Sequence, residues 1–165
     1  MIIIGIDPGT RITGYGIIEI VAGNYQVLDY GCIRPPATLK LSDRYLILFN
    51  AIEALLEKYE PTSLAVESQF MKENFQSAVK LGMARGIAII AAKRRGLPVY
   101  EYAPTKAKLA VVGSGRASKT QVQGMVKLLL SLKELPTPED AADALAIAIC
   151  HARSYNHLVE CQQEI

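Results

Sequence analysis

The sequence predicts one α/β domain built on a mixed five-stranded sheet flanked by helices, and three observations carry that prediction. Half of the 165 residues are hydrophobic and 21% are charged, which suits one buried core in a chain of this length. Three β-rich runs follow one another before any helical pattern begins. After them, short apolar runs alternate with helical periodicity, as crossover connections in a partly parallel sheet require. No long linker, repeat or low-complexity tract interrupts the order. The domain is expected over residues 1–157, with 158–165 as a loose C-terminal tail.

Residues 2–6 form a continuous β-branched run, the pattern of a strand buried on both faces and central in its sheet. The run ends at Asp7, where Pro8-Gly9 forces a turn. Thr13–Val21 and 25–33 read as two strands joined by a tight turn at Gly23-Asn24, and Arg34-Pro35-Pro36 ends that meander. Residues 42–59 have helical periodicity and stop before Pro61. A short strand over 64–66 ends at Glu67. Residues 75–95 read as a long, nearly all-round apolar helix, closed by Lys93-Arg94-Arg95 and a capping Gly96. Residues 97–102 read as a strand broken by Pro104. A helix over 118–132 opens with a capping box, Ser118 and Gln121. The last helix spans 138–155, with Thr137 as N-cap and Pro138 at its first position.

Several classes are set aside by composition. The longest uncharged apolar runs, such as 86–92 and 144–150, fall far below the ~20 residues that a membrane span needs. The MIIIGIDPG start has no basic leader, so a secretory signal is not expected. Three cysteines, an odd number without CxxC spacing, argue against a disulfide scaffold or a cysteine zinc site and for a reducing cytoplasm. The net charge of +2 hides a polarity. Residues 72–133 hold 12 basic and two acidic residues, or +10, and the remainder carries −8. From 102 to 133 there is no acid, the composition of a phosphate-binding surface.

Four carboxylates are expected to meet. Asp7 and Glu67 each end a strand, at the edge where open α/β sheets place their ligand crevice. Asp140 and Asp143 are three apart, hence on one helix face, within a helix apolar enough to lie close on the sheet. Like charges converging in a dry crevice need a neutraliser, and oxygen donors suit Mg²⁺ or Mn²⁺. His151 and His157 read as packing or surface residues. A carboxylate-held metal pair beside a basic surface points to phosphodiester hydrolysis. A near match to a phosphate loop, Gly113 to Thr120, has Ser118 in place of its second glycine and is better explained by Ser118 as a cap.

In order, GIDPGTRITGYGII, AVESQFM, KLGMARG, VVGSGRASK and EDAADALAIAICH resemble the RuvC family of Holliday-junction resolvases, up to about Tyr155. The resemblance implies a ribonuclease-H-like fold and a Mg²⁺-dependent homodimeric endonuclease. Such an enzyme makes paired symmetric nicks in four-way DNA junctions during recombination and repair, leaves 5′-phosphate ends and works with a branch-migration motor. It also implies a preference for a short T-rich cleavage sequence. Asp7, Glu67, Asp140 and Asp143 match the family's catalytic carboxylates, although some relatives have His in place of Asp140. In that reading Asp7 bridges two ions, Glu67 holds one, and Asp143 with Asp140 holds the other. Phe70 matches the aromatic residue that stacks on bases, and Lys108 and Lys119 match basic DNA contacts. Arg116, from the same acid-free stretch, joins them as a candidate contact. Competing readings are a related nuclease acting on RNA or RNA–DNA hybrid, an ATPase lobe and a binding-only module.

Overall fold

The computed structural model describes residues 1–9, 11–68, 75–157 and 164. Its strands are β1 (Ile2–Asp7), β2 (Thr13–Val21), β3 (Asn24–Ile33), β4 (Ser63–Glu67) and β5 (Val99–Tyr102). The helices are α1 (Leu41–Tyr59), α2 (Phe75–Arg94), α3 (Pro104–Val112), α4 (Lys119–Leu129) and α5 (Glu139–His157). The sheet order is β3-β2-β1-β4-β5. The β1–β2 and β2–β3 pairs are antiparallel, and β1–β4 and β4–β5 are parallel. The expected mixed five-stranded sheet is therefore present, with β1 at its centre and Ile3, Ile4 and Ile6 fully buried.

Alternation along the strands divides the core into two layers. Ile4, Ile6, Leu64 and Val66 pack with Leu48, Ile52 and Leu56 of α1 and with the Ala84, Ala88, Ala91 and Ala92 stripe of α2. Ile3 and Ala65 face the other way, toward α5, with Ala107 and Val111 of α3 and Val122 and Val126 of α4. By length and composition alone α2 would pass for a membrane span. Its alanine stripe, buried against the sheet, makes it one of the core helices of this fold.

Several boundaries differ from the sequence reading for local reasons. The β2–β3 turn is Ala22-Gly23, one residue early, because Val21 pairs with Asn24 and both turn residues have positive φ, 49° and 82°. Strand β5 starts at Val99. The Leu97 N–H closes onto the Ala92 carbonyl, and Pro98 lends only its carbonyl, to Leu64. Helix α3 was not anticipated. Pro104 starts it rather than merely ending a strand, since proline at the first helical position loses no hydrogen bond. Helix α5 begins at Glu139, not Pro138. The Pro138 carbonyl accepts from Ala141 and Ala142, so Pro138 takes the place assigned to Thr137. The Ser118–Gln121 capping box forms as expected, with both reciprocal bonds, at 3.2 and 2.8 Å. In the 158–165 stretch only Glu164 is described. It bridges Tyr100 of β5 and pairs with Lys93 at 2.7 Å.

Candidate active site

One row of residues crosses the end of the sheet. Asp7 pairs with Gly14, Gly14 with Cys32, and Glu67 with Tyr102. Because Ile6 pairs with Val66 in parallel register, Asp7 and Glu67 stand side by side. Alternation sends both carboxylates toward the α5 layer, since their neighbours Ile6 and Val66 go into the opposite one.

The second pair of acids arrives on α5, and its closeness depends on absent side chains. A Cβ on Gly14 would lie 2.0 Å from the Asp140 carbonyl oxygen. One on Gly5 would lie 2.1 Å from that of Ala144, and one on Gly16 2.7 Å from the Leu145 side chain. Three glycines on adjacent strands thus let the helix backbone rest on the sheet. This was the missed signal in the sequence: small residues at 5, 14 and 16, opposite an Ala-rich helix.

Electrostatics record the crowding. Asp7 is pushed up to about 9 by burial, by the Glu67 charge and hydrogen bond, and by Asp143 and Asp140. Without a metal, burial and the neighbouring acids therefore favour the protonated form of Asp7 beside Glu67. Burial also raises Glu67, with Asp143 adding to the effect, while the Asp7 hydrogen bond, Lys119 and Lys108 oppose it. Asp143 is raised by burial and by Asp140 against the pull of Lys119 and Lys108.

Asp7, Glu67 and Asp143 line a cleft of about 260 Å³ together with Lys108, Lys119 and apolar Ala107, Val122 and Ile147. Lys119 lies 3.5 Å from Asp143 and 3.2 Å from Glu139. Asp140 stands at the rim, close enough to act on Asp7, Asp143 and Cys32, but is not part of the lining. As placed, no three acidic, histidine or cysteine side chains among the described residues close around a single point. Arg116 is exposed in the α3–α4 turn and is not part of the lining. Phe70 lies outside the described residues.

The +10 segment is not one surface. Arg85 pairs with Glu101, Lys93 with Glu164, and Arg95 with Glu53 and Glu57, while Arg94 stacks on Phe49. These cations sit on α2 or directly after it, on the far side of the sheet from the acids. Lys106, Lys108, Arg116, Lys119 and Lys127 belong to the α3–α4 side. The phosphate-loop reading is ruled out locally, because the run before Gly113 is helix α3, not a strand. His151 is fully buried, bonded to Ser63 Oγ at 2.9 Å and to the Tyr102 hydroxyl at 2.8 Å, and burial holds it down at about 4. It is a packing residue, as expected. The side chain of His157 is not among those described.

The family model for crossover junction endodeoxyribonuclease RuvC matches residues 3–151. The chain belongs to the RuvC family. A RuvC of Protochlamydia amoebophila is 62% identical over 153 residues, covering 93% of this chain and 91% of its own length. One from Desulfitobacterium hafniense is 51% identical, covering 96% of each chain. Thermus thermophilus RuvC, solved in complex with a Holliday junction substrate, superposes with a TM-score of 0.89 at 31% identity, over 100% of this chain and 99% of its own. The yeast mitochondrial Holliday junction resolvase Ydc2 shares the fold, with a TM-score of 0.66 at 15% identity over 92% of this chain and 78% of its own. The ribonuclease-H-like sheet and the endodeoxyribonuclease class implied by the motifs are therefore those of RuvC.

Proposed function

We propose that this RuvC chain resolves four-way DNA junctions by paired symmetric nicks in recombination and repair, using Mg²⁺ and leaving 5′-phosphate ends. The observation that carries the reading is the buried Asp7–Glu67–Asp143 cleft walled by Lys108 and Lys119. Burial and the mutual repulsion of its acids disfavour their joint ionisation, Asp7 being pushed furthest up, unless positive charge is added. An all-oxygen donor set of this kind fits a hard divalent cation. Asp7, Glu67, Asp140 and Asp143 would hold two Mg²⁺ ions, with Mn²⁺ a substitute. Bound there, the ions would supply Lewis-acid activation of water and neutralise the leaving oxygen.

The chain's own residues do the rest. Lys108 and Lys119 attract the phosphate backbone to the cleft mouth. Burial strengthens every charge interaction inside it. Arg116 extends the basic surface, and Phe70 is assigned to stacking on an unpaired base.

A homodimer supplies two cleavage sites. The outer face of α2 suits the contact: Phe75, Val79, Met83 and Ile90 are exposed, and Gly82 and Gly86 have nothing against them. A branch-migration motor as partner and a cytoplasmic setting complete the proposal.

The test is to incubate purified protein with a synthetic four-way junction, with and without Mg²⁺, beside an RNA–DNA duplex. Paired, ligatable nicks at symmetric positions that require the metal are expected. Cleavage of the hybrid but not the junction would overturn the assignment in favour of the RNA-directed reading.

A further inference from the structure

The acid row has two ends, and only one has been given a cation. Lys108 of α3 and Lys119 of α4 line the cleft with Glu67 of β4 and act on its carboxylate. On the opposite side the row runs from Asp7 through Gly14 to Cys32 of β3. Paired residues of neighbouring strands point to the same face, so the Cys32 side chain shares the face of Asp7. Strand β3 runs parallel in direction to β1, with β2 antiparallel between them, so both carboxyl ends meet at the same edge of the sheet.

Arg34 lies two residues beyond Cys32, one step past the end of β3. It precedes Pro35, which keeps its backbone extended, so the alternation of the strand carries through to it. Arg34 therefore projects on the acid-bearing face, at the edge where Asp7 and Glu67 emerge. The contact with Cys32 agrees. The Arg34 guanidinium is close enough to Cys32 to pull its thiol down, while Asp140 and Asp7 push it up, so the arginine and both acids lie near that one side chain. Among the described residues no carboxylate lies within ion-pair distance of Arg34, unlike Arg85, Arg95 or Lys119.

Resting on the junction-nuclease reading above, we propose that Arg34 is a phosphate-binding residue on the second wall of the crevice. It would grip the cleaved strand on the side of the acid row opposite Lys108 and Lys119. With β2 and β1 between them, β3 and β4 are three strand spacings apart, about 14 Å. A DNA strand crossing the row is then held by cations on both sides of the bond that breaks. A planar, bidentate guanidinium suits a backbone phosphate.

The test uses full-length Asp7→Asn protein, so that binding is read without cleavage. Affinity for a synthetic four-way junction is measured over a salt series for this parent and with added Arg34→Ala or Arg34→Lys. One lost phosphate contact should shallow the slope of log K against log salt by about 0.9 and weaken binding about eightfold at 0.1 M salt. The Lys variant should keep the parent slope, which a purely structural role for Arg34 would not predict. A parent slope retained by folded Arg34→Ala protein overturns this inference alone. Should Arg34→Ala fail to fold, Arg34→Gln replaces it in the same comparison. A parent that does not bind the junction at all overturns both this inference and the junction reading.

Discussion

Replacing Gly14 by alanine tests how the cleft is assembled. The added Cβ would sit 2.0 Å from the Asp140 carbonyl oxygen, 2.5 Å from its carbon and 3.2 Å from the Ala141 nitrogen. All three are backbone atoms of α5, so no side-chain rotation relieves the clash. Ordinary contact begins at 3.4 Å, so strand and helix must part by about 1.4 Å at this point. The helix that moves carries Asp140 at the clash and Asp143 one turn on. Asp7 and Glu67, on the sheet, stay behind.

Overpacking of this kind costs about 1–3 kcal/mol, or roughly 2–10 °C in Tm for a domain of this size. The effect on chemistry should be larger, because a misplacement of about 1 Å can cost on the order of 10²-fold in rate. Single-turnover nicking of a synthetic junction in Mg²⁺, alongside thermal unfolding and junction binding, separates the two effects. The expected result is a folded protein that binds the junction and nicks it at least 10²-fold more slowly. Gly14→Ala protein that folds and nicks at the parental rate would refute the docking of α5 through Gly14.

Other outcomes follow from the same structure. Gly124→Ala in α4, where nothing lies within 4 Å of the added Cβ, should raise stability by about 0.5–1 kcal/mol in urea unfolding; a loss would mean that the glycine is needed for its backbone. Asp7 is held at about 9 against an ordinary 3.8. The native state therefore binds more protons than the unfolded chain between those values, and metal-free stability should fall as pH rises through that window. Asp7→Asn should abolish nicking yet stabilise the metal-free protein at pH 7, by on the order of 1–4 kcal/mol, as chemical unfolding in a chelator would read. His151 has the opposite sign. Held at about 4 against 6.5, it contributes fully above pH 6.5 and loses up to about 3 kcal/mol as pH falls toward 4. In Asp7→Asn protein, where the opposing contribution of Asp7 is gone, a pH series of unfolding midpoints that stays flat between 7 and 4 would contradict that burial.

Much of the fold was legible because local rules agreed with one another. The β-branched run before Asp7 became the central strand, and the Ser118–Gln121 pair capped α4 as drawn. Where one residue type serves two purposes, the reading slipped. Pro104 can end a strand or start a helix, and only the packing of Ala107 and Val111 against α5 makes it the latter. Lys93 to Gly96 read correctly as a helix end, and the ion pairs and ring contact of those cations remove them from the basic surface.

The sequence by itself singled out the residues proposed to carry the chemistry. Acids at strand ends and on one helix face, together with a run of cations free of acids, are visible as spacing. Period-2 and 3.6-residue rules then place them on faces. The tertiary structure decided which of them meet. Parallel register set Asp7 beside Glu67, and three glycines let α5 approach closely enough for Asp143 and Asp140 to act on Asp7. The sheet itself separated the α2 cations from those of α3 and α4. It also brought Arg34, distant in sequence from every other basic residue considered for the site, to the edge that bears the acids. Pairing across strands and the depth of helix packing are sums over contacts remote along the chain, so no local pattern encodes them.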